Sequence, residues 1–172
     1  MRLEALLSQN MQCDAAHSDV EITGLTADSR IVAPGYLFAA LPGEHVDGNR
    51  FVAQAVAQGA AAVLTAQPDA GLSVPVLYDE NPRRALAELA GRFFAFRPEC
   101  TVGITGTNGK TSTAAFLRQF WTEAGLSAAS LGTLGVVTQE FTRPINHTTP
   151  DPVTPAVSYT HLTLPTTRHV VV

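Results

Sequence analysis

Between a short apolar run, ECTV at 99–102, and an amphipathic run, AAFLRQFWTEAG at 114–125, the chain reads GITGTNGKTST at 103–113. No other stretch restricts the fold as strongly. An apolar strand that enters a glycine-rich turn and leaves as a helix is one half of an α/β crossover. The glycines stand at 103, 106 and 109 and are followed by Lys110 and Thr111. The strict phosphate-loop pattern G-x-x-x-x-G-K-[ST] would put its first glycine at 104, where this chain has Ile104. The physical device does not depend on that glycine. Gly106 and Gly109 let the backbone turn tightly, so that several N–H groups converge where the next helix presents its positive end. Lys110 would neutralise β- and γ-phosphates, and the Thr111 hydroxyl would be a ligand for the Mg²⁺ that accompanies ATP. The plainer alternative is a strand-to-helix turn that holds nothing. The strand before, the helix after and the spaced glycines together favour a nucleotide site.

Around that loop the chain falls into segments. Up to about residue 80, EITGLTADSR, YLFAAL, AAVLTA and VPVLYD read as short strands, and NRFVAQAVAQGA as a helix stopped by Gly59. Strands alternating with a helix predict a small α/β domain over 1–80. A second domain is expected over 81–156. Its first helix starts at the cap Asn81 and Pro82 and carries a buried stripe of Leu86, Leu89, Ala90, Phe93 and Phe94. The helix after the glycine loop is expected to bury Phe116, Leu117, Phe120, Trp121 and Ala124 and to end at Gly125. SAASLGT predicts the next strand. The segment 157–172, VSYTHLTLPTTRHVVV, has neither helical period nor strand alternation. It is read as a non-native or misread tail and left out of functional reasoning.

The overall charge of -4 and the absence of a Lys/Arg cluster exclude a nucleic-acid surface. The N-terminal MRLEALLSQN has too short an apolar run for a signal peptide, and no apolar stretch of about 18 residues follows. A cytoplasmic location without membrane insertion is expected. Cys13 and Cys100 lie far apart, with no metal-type spacing, and read as reduced structural thiols.

TGTNGKTS resembles the ATP loop of the Mur ligases, enzymes that add amino acids to the UDP-linked peptidoglycan precursor. LTADSRIVAPGYLFAALPGEHVDGNRFVAQAVAQGAAAV is similar to that family's UDP-binding domain, through DSR at 28–30, PGYLF at 34–38 and GEHVDG at 43–48. HTTPDPVT at 147–154 resembles the muramyl-substrate loop of the branch that adds a diamino acid to UDP-N-acetylmuramoyl-L-alanyl-D-glutamate.

The resemblance implies a UDP-binding α/β domain followed by the start of a central ATP domain of the P-loop type. It places ATP on Gly106, Thr107, Asn108, Gly109, Lys110, Thr111 and Ser112, with Lys110 catalytic and Thr111 holding Mg²⁺. It places the UDP substrate on Ala27, Ser29, Glu44, His45, Val46, His147, Thr148 and Thr149. The acceptor is a diamino acid, meso-diaminopimelate or L-lysine. These residues alone are expected to form no amide bond, because the family draws its acceptor contacts from a further domain. Three alternatives stand beside this reading: the D-Ala-D-Ala-adding branch, a small P-loop NTPase, and a nucleotide-binding fragment without ligase activity. Taken singly, Ser29 reads as a turn hydroxyl, Asp28 and Arg30 as a surface pair, His45 as a surface histidine, and Thr148 and Thr149 as helix caps.

Overall fold

The computed structural model describes residues 1–7, 11–13, 19–43, 47–67, 71–94, 98–144, 153 and 169–171. It divides into two units, Met1–Phe93 and Phe94–Val172. The first contains strands β1 (Gln12–Cys13), β2 (Gly24–Thr26), β3 (Tyr36–Ala39), β4 (Ala62–Thr65) and β5 (Val76–Tyr78), and helices α1 (Leu3–Leu6), α2 (Val52–Ala57) and α3 (Pro82–Phe93). The strands form one sheet in the order β1–β5–β4–β3–β2, all parallel except the short edge strand β1.

The apolar runs that predicted strands are buried along nearly their whole length, as a parallel sheet covered on both faces requires. Phe38 and Val63 pack with Val52 and Ala55 of α2. By the two-residue period of strands, Leu37 and Leu64 then point to the opposite face, and both are fully buried. The DG of the GEHVDG motif has a packing reason. A Cβ on Gly48 would stand 2.7 Å from the backbone N and O of Leu41, so only glycine fits.

Helix α3 starts where the sequence places it. Asn81 Oδ1 accepts from the Arg84 N–H at 3.1 Å, and Pro82 takes the first helical position. Its stripe is buried at Leu86, Leu89 and Ala90, whereas Phe93 and Phe94 are half-buried. The domain boundary differs from the expected one at 80/81. Helix α3 packs on α1 and β4. Arg92 Nη1 donates to the Leu6 carbonyl at 2.7 Å, and Arg83 Nη2 to the Pro42 carbonyl at 2.9 Å. These long-range contacts assign the helix to the first unit and move the boundary to 93/94.

The second unit holds β6 (Cys100–Val102), α4 (Lys110–Glu123), β7 (Ala128–Gly132), β8 (Gly135–Val137), β9 (Thr142–Arg143) and β10 (His169–Val171). The sheet runs β6–β10–β7–β8–β9, parallel across β6, β10 and β7, then antiparallel. β10 lies within 157–172, the segment whose sequence shows no strand alternation. A strand flanked by parallel neighbours needs no polar alternation, and Val170 is buried there.

Helix α4 also departs from expectation: Phe116 and Phe120 are 58% and 69% exposed, and Ala124 is exposed too. The helix packs on β7 and β10 through a face rotated by about one residue. Its half-buried residues are Ala114, Ala115, Leu117, Arg118, Trp121 and Thr122, so Leu117 and Trp121 of the expected stripe are partly covered. No helix among the described residues is long and apolar enough to cross a membrane.

Candidate functional site

The glycine loop lies where the sequence predicts it, between β6 and α4. Gly109 is the N-cap of α4 in the left-handed conformation, φ 77°, which a residue with a Cβ adopts only under strain. Gly109 has no side chain with which to cap this helix. Its first backbone bond runs from the Thr113 N–H to the Gly109 carbonyl at 2.8 Å. The N–H groups of Lys110, Thr111 and Ser112 come earlier in the helix than that bond and point along the axis, as helix-terminal donors do. A Cβ on Gly109 would meet nothing within 4 Å, so the space before the helix end is open to a ligand. Residues 105–113 are all exposed. The Lys110 ammonium folds back over the loop and donates to the Gly106 carbonyl.

A cavity of about 610 Å³ opens beside this loop, between Gly103–Thr105, the first turns of α4 and the β7–β8 hairpin. Among the described residues Lys110 and Arg118 line it, and no Asp or Glu does. Arg118 Nε is buried without a hydrogen-bond partner among the described residues. A cavity whose described lining holds two cations and no carboxylate, at a helix N-terminus, suits an anion. Thr111 Oγ1 lies 3.1 Å from Thr133 Oγ1, at the tip of the hairpin. Sequence reading did not single out Thr133 or Arg118. Thr133 lies in the SAASLGT stretch read as a strand, and its contact with Thr111 is not legible there because its partner is 22 positions away.

Two family profiles match this chain: "Mur ligase family, catalytic domain" over residues 21–94 and "Mur ligase middle domain" over residues 104–172. The chain belongs to the Mur ligase family. Among relatives, it is 45% identical over 153 residues to the UDP-N-acetylmuramoyl-L-alanyl-D-glutamate–2,6-diaminopimelate ligase of Bradyrhizobium diazoefficiens, covering 89% of this chain and 32% of that protein. It is 51% identical over 138 residues to the ligase of the same name from Caulobacter vibrioides, covering 80% and 28%. A solved structure of a ligase with that name superposes with a TM-score of 0.80 at 21% identity, over 99% of this chain and 35% of the other. This Mur ligase chain thus spans about a third of the length of the relatives it matches.

The other predicted site residues divide into two groups. Glu44, His45, Val46, His147, Thr148 and Thr149 lie outside the described residues. Ala27 and Ser29 sit at the carboxyl end of β2, where ligands of open parallel sheets collect. Ser29 is buried and opens a short 3₁₀ turn, Ser29–Ile31. Asp28 caps that turn, accepting from the Arg30 N–H at 2.9 Å, and its carboxylate is held by Arg30 Nη2 at 2.6 Å.

The side-chain hydrogen bond from Arg30 keeps the Asp28 carboxyl below its usual range. A carboxylate with a depressed folded pKa stabilises the fold above its unfolded value and loses that contribution as pH falls below about 4. Asp28→Asn keeps the cap acceptor and should therefore resemble the wild type more closely in acid than at neutral pH. Asp28→Ala also loses the cap, which costs about 1 kcal/mol. Thermal unfolding of both variants at pH 7 and pH 3 checks this; equal deficits at both pH values would contradict it.

Proposed function

We propose that this Mur ligase chain supplies the substrate-binding and ATP-binding segments of an ATP-dependent ligase. The enzyme adds a diamino acid, 2,6-diaminopimelate by analogy with its relatives, to UDP-N-acetylmuramoyl-L-alanyl-D-glutamate. The observation that carries the reading is the open, uncapped glycine loop with Lys110 folded across it. Identity of 45–51% to ligases of that name supports the substrate class. In this reading the first unit receives the UDP portion beside Ala27 and Ser29, and the second receives ATP.

The chemistry is phosphoryl transfer followed by amide formation. The D-glutamyl γ-carboxylate oxygen attacks the γ-phosphorus, ADP leaves, and an acyl phosphate forms. The acceptor amine then adds to the acyl carbon, loses a proton, and expels phosphate. The residues here serve the first step. The N–H groups at the start of α4 fix the phosphate oxygens, and Lys110 leaves the Gly106 carbonyl to meet the negative charge that grows during transfer. Among the described residues no cluster of His, Cys, Asp or Glu could hold a metal ion. A hydroxyl beside a phosphate cradle nevertheless fits Mg²⁺, which takes few protein ligands and completes its shell with phosphate and water. Thr111 would hold the ion, which when bound would supply charge neutralisation at the phosphates.

Calorimetric titration of the chain with ATP, ADP and adenosine tests the ATP assignment. The loop grips phosphates and not the base, so ATP and ADP should bind at concentrations where adenosine does not. Parallel titration with UDP-N-acetylmuramoyl-L-alanyl-D-glutamate tests the first unit. Equal binding of adenosine and ADP, or no binding of any of these compounds, would overturn the reading.

A further inference from the structure

We infer that Thr133 is a positioning residue for the cation site: its hydroxyl oxygen accepts a hydrogen bond from the Thr111 O–H and so turns a Thr111 lone pair towards the metal. The inference rests on the proposed nucleotide site. It begins from the 3.1 Å contact between Thr111 Oγ1 and Thr133 Oγ1. The two residues are held by different elements, Thr111 by the first turn of α4 and Thr133 by the tight turn between β7 and β8. Both line the cavity beside Lys110.

A threonine hydroxyl has one proton and two acceptor lone pairs. With no cation bound, either oxygen can donate to the other. Once Thr111 gives a lone pair to a cation, its own proton points away from the ion and needs an acceptor. Thr133 Oγ1 is at hydrogen-bonding distance to be that acceptor. The direction of the bond is then fixed, and the Thr133 proton is released to donate to a phosphate oxygen or to water. Partners of this kind commonly change metal affinity by about 10- to 100-fold, because they orient the ligand atom and raise its basicity. A carboxylate would be a stronger acceptor, but none of the described residues lining the cavity carries one. The hydroxyl of Thr133 fills that role.

The test uses the full chain as wild type, Thr133→Val and Thr133→Ser. Valine keeps the shape and removes the acceptor; serine keeps the acceptor. ADP affinity is measured in EDTA and across a Mg²⁺ titration, and thermal midpoints are recorded. The expected result is a Thr133→Val chain that binds ADP in EDTA within about twofold of wild type but needs about tenfold more Mg²⁺ to tighten that binding. Thr133→Ser should follow wild type. An unchanged Mg²⁺ requirement in Thr133→Val would overturn the inference while leaving the nucleotide site intact. So would an equal loss of binding in EDTA accompanied by a fall in thermal midpoint, which would mark a merely structural role. Failure of the wild type to bind ADP under either condition would overturn the nucleotide site itself.

Discussion

Replacing Lys110 with alanine in a full-length ligase carrying this segment is expected to lower turnover on the order of a hundredfold or more, about 2.7 kcal/mol or above in the barrier. Affinity for the UDP-linked substrate should stay within about twofold, a difference of roughly 0.4 kcal/mol. The reasoning starts from position. Lys110 is the first residue of α4, its ammonium lies over the glycine loop, and no carboxylate among the described residues lining the cavity beside it holds that charge elsewhere. A cation set in place before the reaction is most valuable where charge develops during transfer, so its removal should appear in the rate and not in ground-state binding. The proposed uridine contacts, by contrast, are assigned to the other unit, at Ala27 and Ser29. Steady-state turnover and calorimetric affinity for UDP-N-acetylmuramoyl-L-alanyl-D-glutamate, measured on the same preparation, decide the matter. A parallel loss of both quantities would show that Lys110 supports the fold or the substrate and not the transfer.

The largest stability effect is expected at Phe38. It is 1% exposed on β3, the second strand from the β2 edge, and packs on Val52, Ala55 and Val63. Truncation to alanine removes most of a buried aromatic side chain and leaves a cavity that a close-packed parallel sheet cannot collapse to fill. The expected cost is about 3–5 kcal/mol. A unit of this size has a total stability of roughly 5–15 kcal/mol, so the variant should be partly unfolded near physiological temperature. Phe38→Leu, which keeps most of the volume, should cost less than about 1.5 kcal/mol. Urea unfolding followed by far-ultraviolet ellipticity gives both values. A Phe38→Ala midpoint within error of Phe38→Leu would mean that the cluster around α2 repacks, and that the cavity argument fails at this site.

Much of the molecule could be read from neighbours in the chain. A glycine turn between an apolar strand and an amphipathic helix is a local pattern, and the loop, the Gly109 cap and the start of α4 at Lys110 follow from it. Asn81 followed by Pro82 marks the start of α3 for the same reason, because a cap bond spans only three residues. The short apolar runs became β2 to β5 because a covered parallel strand needs little beyond an uninterrupted buried run.

Tertiary structure decided what depends on partners distant in sequence. Helix α3 belongs to the first unit because Arg92 reaches Leu6 and Arg83 reaches Pro42, contacts that no periodicity encodes. The exposed Phe116 and Phe120 show a helix turned by about one residue from its most apolar stripe. A hydrophobic period states that a face exists, whereas the sheet beneath selects which face is covered. His169–Val171 enters the sheet between β6 and β7 by pairing with strands far back in the chain. Thr133 reaches Thr111 only because the β7–β8 hairpin folds back beside the start of α4. The order of residues was enough for the glycine loop and the family. The three-dimensional fold determined which hydroxyl stands beside the loop's own, because that depends on the placement of two elements and not on the order of residues in either.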